Sequence, residues 1–334
     1  VMFMHNDDVD VRYAAFEDLG RTDKSTPAAL STADLGVVEP DSNIQGRYSF
    51  HFHLTGTSDQ DNPAIAVGNT VDGSPGWGFV HHSSNANFAE NVAFDVFGAA
   101  FVAEAGDETG SWFRNMAINA QGTNWGDWEV KDGARVSSQD IGHTGDGFFF
   151  AGRLVEAAEN VAANTNNGFV WMMRNNKADP SVDNLDHPEI GYGRDTILNN
   201  LAPIQGFRDN EAFGTNTGII VIKDFPWQTQ HDLRTVFDGF LNWETSTGAN
   251  LSYTSHYTFI DFDLINARER LGDVNNYGID FGTNIYDMVL NGLRVEGFDA
   301  AVDFRSDFTA SFPDSDVANI LIDFESINNG TDIL

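Results

Sequence analysis

The sequence predicts an all-β chain: one right-handed parallel β-helix, a solenoid of short strands with inserted loops. Three observations lead there. A phrase of Gly or Ala, then Phe or Ile, then a short apolar run recurs at Gly78-Phe79-Val80, Ala100-Phe101-Val102, Gly147-Phe148-Phe149, Gly168-Phe169-Val170 and Gly218-Ile219-Ile220. An Asn-centred phrase precedes several of these, at Glu90-Asn-Val-Ala-Phe94, Arg114-Asn-Met-Ala-Ile118, Glu159-Asn-Val-Ala-Ala163 and Asn199-Asn-Leu-Ala202. Successive units run roughly 22 to 29 residues, the length that stacks into a solenoid.

Each segment follows from this frame. Val1-Met-Phe-Met-His5 reads as the middle of a strand, and Thr22 to Asn43 as a loop. The segments Phe50 to His53, Phe79 to His82 and Phe101 to Glu104 read as strands of one wall. The longer step from Phe101 to Phe148 leaves room for another rung around Trp125 to Asp132. Helical periodicity is confined to short stretches such as Leu154 to Ala163. Asn, Asp, Pro and His accumulate from Arg174 to Arg194, so 174–195 is read as an inserted loop, and Pro226 to Leu233 as a further one. Repeated Asn at one turn suits a stacked amide ladder or a left-handed corner. A β-sandwich or propeller is the rival, but two-residue Asn-Gly hairpin turns are lacking. No composition shift marks a boundary, so 1–334 is read as one domain. Ile327-Asn-Asn-Gly330 reads as a turn, and the chain as part of a longer one.

Composition narrows the function. At 41% hydrophobic and 12% aromatic residues the chain can bury a large core. Fifty acidic against 18 basic residues give a formal charge of −32, which excludes the basic face that nucleic acid requires. Such acidity suits solubility, high salt or cation binding. With no cysteine there is no disulfide, thiolate metal site or cysteine nucleophile. No run of 18 apolar residues predicts membrane insertion. Phosphate loops, Gly-x-Ser-x-Gly elbows and His-Glu-x-x-His helices are missing too, and no organic cofactor is expected.

Chemistry concentrates in three clusters: Gly46-Arg-Tyr-Ser-Phe-His-Phe-His53, Gly76-Trp-Gly-Phe-Val-His-His-Ser-Ser84 and Phe101-Val-Ala-Glu-Ala-Gly-Asp-Glu108. Strand alternation places His51 and His53 on the outer wall if Phe50, Phe79 and Phe101 stack inward. In that register His53, His82 and Glu104 form a column, rungs being roughly 4.8 Å apart, and Lys131 extends it. The column suits a divalent metal, calcium or zinc, held by His51, His53, His82, Glu104 and Glu108. It equally suits acid–base work by His53, His82, Glu104 and Lys131. Arg47, Tyr48 and Trp77 are candidate substrate contacts, with Trp125, Trp128 and Trp171 as further sugar platforms. His5 can stack below the first pair. His143 reads as a turn residue, and His187, His231 and His256 as isolated ones.

Met2-Phe-Met-His5, Asp18-Leu-Gly-Arg-Thr-Asp-Lys24, Gly46 to His53, His81-His-Ser83 and Ala99 to Glu108 occur in an order that resembles the parallel β-helix region of the animal hyaluronan-degrading proteins (the cell-migration-inducing and transmembrane hyaluronidases) and of fibrocystin. The resemblance spans roughly residues 1 to 120. It implies a secreted or cell-surface protein acting on an acidic glycan, with calcium as a possible companion. The acidic, cysteine-free composition suits a bacterial, marine relative. The expected function is therefore depolymerisation, by hydrolysis or elimination, of hyaluronan or another uronic-acid polymer. A non-catalytic adhesin or matrix module with a structural metal is the alternative.

Overall fold

The computed structural model describes residues 1–26, 43–59, 61–123, 141–172, 181–183, 196–198, 201–224, 234–266, 276–304 and 319–334. Among them 25 strands join into one sheet that winds as a parallel β-helix. Every pairing in that sheet is parallel and links one coil to the next, so the coil is a three-faced prism. The first face stacks Met2–Met4, Phe50–His53, Phe79–His82, Phe101–Ala103, Asp146–Phe150, Asn167–Met172 and Thr217–Asp224. The second stacks Asp10–Arg12, Ala64–Val67, Asn85–Ala89, Thr109–Phe113 and Leu154–Ala158. The third stacks Ala15–Glu17, Thr70–Asp72, Val92–Phe94, Met116–Ile118 and Val161–Ala163. Farther along, strands such as Thr247–Ile265 and Ile285–Glu296 run around the corners without a break.

In-register parallel stacking brings like side chains together. Phe79, Phe101, Phe148 and Phe169 stack with ring centroids 4.9, 5.0 and 4.8 Å apart, within the offset-stacking range. The Gly that precedes Phe169 is required by the next coil: a Cβ at Gly168 would lie 2.4 Å from the Gly218 carbonyl. Glu90, Arg114 and Glu159 occupy the corner between second and third faces in the left-handed region. The residue after each is a buried Asn, and Asn69, Asn91, Asn115, Asn160 and Asn210 form the amide ladder. Each side-chain amide donates to the Oδ1 of the next, at 2.9 to 3.1 Å.

Several expectations need correction. Phe101 pairs directly with Phe148, so no rung lies between them, and Trp125 to Asp132 falls outside the described residues. The ladder passes from Asn160 to Asn210, and Asn199 and Asn200 of the 199–202 phrase lie outside the described residues. Leu154 to Ala163 forms two strands, not a helix, because Glu159 breaks it at the corner. Within 174–195 only Ser181–Asp183 is described; it pairs antiparallel with Thr196–Leu198. Residues 27–42 and 226–233 lie outside the described set. Among the described residues no helix is long and apolar enough to cross a membrane.

Candidate functional site

The strand Phe50–His53 sends Phe50 and Phe52 into the core and His51 and His53 to the other side, by simple alternation. The next coil aligns Val80 with His51 and His82 with His53. On the third coil Val102 aligns with Val80, and Ala103 with His81. Glu104 follows, its amide donating to the His81 carbonyl at 3.0 Å, so the column His53, His82, Glu104 is continuous.

The ring centroids of His53 and His82 are 4.4 Å apart and edge-on. His51 lies parallel to His82 at 5.6 Å, and the exposed His5 sits 5.9 Å below His53. One ring nitrogen from each of His51, His53 and His82 lies within 4.8 Å of the others. His82 Nδ1 is 3.0 Å from Glu104 Oε2, a charge contact whose alignment falls short of a hydrogen bond. His51 Nδ1 faces the Gly46 carbonyl at 3.2 Å. The remaining donor atoms of the group, His51 Nε2 and His53 Nδ1, are buried without a hydrogen-bond partner, as are His82 Nδ1 and Glu104 Oε2.

Environment splits these groups electrostatically. Burial presses His51 down to about 4, so it is neutral at pH 7. Burial, and then the charge of His82, also lowers His53. Burial works against the His82 imidazolium, but contact with Glu104 outweighs it and the pKa rises. Burial likewise opposes ionisation of Glu104, yet His82, His51 and Lys24 together hold it at about 2. A neutral His53 therefore stands beside an imidazolium-favouring His82 and an ionised carboxylate.

Lys24 carries no signal in the sequence beyond its place in the Asp18-to-Lys24 motif. It is fully buried, donates from Nζ to the Ile141 carbonyl at 2.8 Å and lies 3.9 Å over the Trp77 ring. Trp77 in turn stacks on Tyr48 at 4.3 Å. Both rings are buried, at 1% and 3% exposure, so neither offers a face to a sugar; they close off the wall. Trp171 is a core residue, stacked on Phe150. Above Glu104 the outer wall turns apolar, with Val102, Phe149, Val170 and Met172 in one buried cluster. Arg47 is half-buried where the chain leads into the first His strand, and its carbonyl accepts from the Arg21 and Thr22 amides.

Three sequence expectations change here. Glu108 turns away from the cluster: its carboxylate accepts from the amides of Ser83, Ala105 and Gly106, fixing the turn. Burial and the charge of Asp107 push it up to about 7. Lys131 lies outside the described residues, and the position after Glu104 in the column belongs to Ala151, whose amide donates to the Ala103 carbonyl. Trp125, Trp128, His187 and His231 also lie outside the described set. His256 is not isolated: it lies 3.4 Å from Asp287, which pairs with Arg234 at 2.6 Å. Three of that arginine's bonds go to the carbonyls of Tyr257 and Asp287 and the hydroxyl of Thr258, so it clamps successive coils. His143 is fully buried beside the turn.

The family model described as CEMIP beta-helix matches residues 40–219, just over half of the chain and all three clusters from Gly46 to Glu108. No curated protein matches the chain.

Proposed function

The chain belongs to the CEMIP β-helix family, and from that premise we propose an extracellular, carbohydrate-active protein that depolymerises an acidic polysaccharide, hyaluronan or another uronic-acid polymer. One observation carries the reading: His53 and His82, 4.4 Å apart, are pushed toward opposite protonation states by burial and by Glu104. Paired groups whose pKa values are driven apart supply a base and an acid at one pH. His53 accepts a proton from the attacking water or from the carbon beside the uronate carboxylate. His82, charged through Glu104, gives a proton to the glycosidic oxygen that leaves. Arg47 is the side chain proposed to meet the uronate carboxylate. A local cation matters because a protein of net charge −32 otherwise repels a polyanion. A divalent cation at the imidazole group would instead take both imidazoles as neutral ligands and supply Lewis acidity.

One observation favours the non-catalytic module instead: the wall above Glu104 is apolar and buried, which shortens any groove along the helix. Incubation with hyaluronan, chondroitin, alginate and pectate separates the two readings. Shortening of one polymer is expected, reduced at least ~100-fold in His53→Ala and Glu104→Gln with melting temperature retained. An absorbance from unsaturated uronate assigns elimination, and its absence hydrolysis. If none of the four polymers is shortened, the depolymerase reading fails and the module stands.

A further inference from the structure

We infer that His51, His53, His82 and Glu104 form a site for a transition-metal dication of the zinc class, with three imidazole nitrogens and one carboxylate oxygen as donors. The inference rests on the reading of this wall as the working site; with the ion bound, His53 and His82 would be its neutral ligands in place of the free acid–base pair. Its first support is the set of unsatisfied atoms. His51 Nε2 and His53 Nδ1 are buried without a partner, while His82 Nδ1 and Glu104 Oε2 meet only each other, in a charge contact that falls short of a hydrogen bond. Folded proteins leave few buried polar atoms unpaired, and one ion between these donors supplies what all of them lack. A pure His–Glu network would instead align the His82 N–H with the carboxylate, and the 3.0 Å contact is misaligned.

Spacing supplies the second support. Two ligands, each about 2.1 Å from a tetrahedral ion, stand about 3.4 Å apart. His82 Nδ1 and Glu104 Oε2, 3.0 Å apart, need open by only a few tenths of an ångström to reach it. The three imidazoles offer nitrogens within 4.8 Å of one another, close enough to converge with small side-chain rotations. The third support is the outer partner of His51. With its proton on Nδ1, facing the Gly46 carbonyl at 3.2 Å, the lone pair falls on Nε2, the unsatisfied atom. A backbone carbonyl that fixes a tautomer in this way is the usual companion of a metal-binding His.

The donor chemistry chooses the metal. Calcium takes six to eight oxygens, whereas this group offers mostly nitrogen. Imidazole suits zinc, copper, iron and nickel. All four residues project from one wall of stacked, in-register coils, so the donors are held before any ion arrives.

The test uses the full chain, stripped by a chelator and titrated with zinc, cobalt(II) and calcium in the absence of polysaccharide. The expected result is one equivalent of zinc or cobalt per chain, a visible cobalt spectrum typical of nitrogen ligation, and no displacement by a large excess of calcium. His51→Gln and His82→Gln should each weaken zinc binding by more than the ~10–100-fold that disturbing an outer partner costs. Circular dichroism and melting show that each variant is folded, and the milder Glu104→Gln serves if one of them is not. Substoichiometric binding, effective competition by calcium, or unchanged affinity in a folded His51→Gln/His82→Gln variant overturns the inference. The two proposals fail separately. Zinc bound with no polymer cut removes the depolymerase and keeps the metal site. A polymer cut by the metal-free chain keeps the depolymerase and removes zinc as its cofactor.

Discussion

Single buried ionisable residues set how this fold responds to pH, and they pull in opposite directions. Asp146 is fully buried, accepting from the Thr144 hydroxyl at 2.6 Å and the Asn167 amide at 2.8 Å, and burial lifts its carboxyl from 3.8 to about 6. The unfolded chain ionises there near 3.8 and the folded chain near 6, so the unfolded state binds fewer protons in between. Stability is thus lost as pH rises from 3.8 to about 6. His81, an inward residue whose Nε2 faces the Ser84 carbonyl at 2.7 Å, is lowered by burial from 6.5 to about 4. The unfolded chain takes up that proton first, so here stability is lost as pH falls from 6.5 to about 4. Asp146→Asn removes only the first effect. Its stability relative to the parent should improve by on the order of 2–3 kcal/mol between about pH 3.5 and about pH 7. Urea denaturation at a series of pH values measures this, and a constant difference across the series would refute it.

At the level of elements, the ladder of Asn side chains ties successive coils more directly than the surface does. Asn115 donates to the Phe88 carbonyl and to Asn160, and it accepts from both the amide and the side chain of Asn91. Asn115→Ala strands these buried partners, which should cost about 2–4 kcal/mol of unfolding free energy. Phe94→Ala, on the exposed side of the same region, should cost far less. Equal losses for the two, read from denaturant midpoints, would mean that the ladder adds nothing specific. The ladder was visible in the sequence because its Asn phrase repeats. The jump of 50 residues from Asn160 to Asn210 hid the next member, although Asn210-Glu-Ala-Phe213 repeats the pattern of Asn91-Val-Ala-Phe94. A spacing rule fails where a loop lengthens one coil, since the loop leaves the register of the strands unchanged.

For the whole molecule, the charge of −32 is the dominant long-range term. Raising ionic strength from about 0.01 M to about 1 M shortens the screening length from ~30 to ~3 Å. Self-repulsion should then weaken, so the melting temperature rises and, on the proposed depolymerase reading, the KM for an anionic polymer falls. Calorimetry and a salt series of depolymerisation assays check both. A melting temperature that drops with sodium chloride would show that attractive ion pairs, such as Arg234 with Asp287, outweigh the repulsion.

The sequence by itself determined the coil, the inward Phe stack and the column of His53, His82 and Glu104. Periodicity is local, and parallel in-register pairing turns equal spacing along the chain into vertical neighbours. Only the tertiary structure decided what surrounds that column. Lys24 comes from a segment outside the repeat, and the Trp77 and Tyr48 rings pack over the wall instead of facing solvent. Glu108 spends its carboxylate on three backbone amides, and Ala151 takes the position expected of Lys131. Loops have no period, so which side chains they bring over a face, and which charges they bury there, is settled by packing across distant parts of the chain.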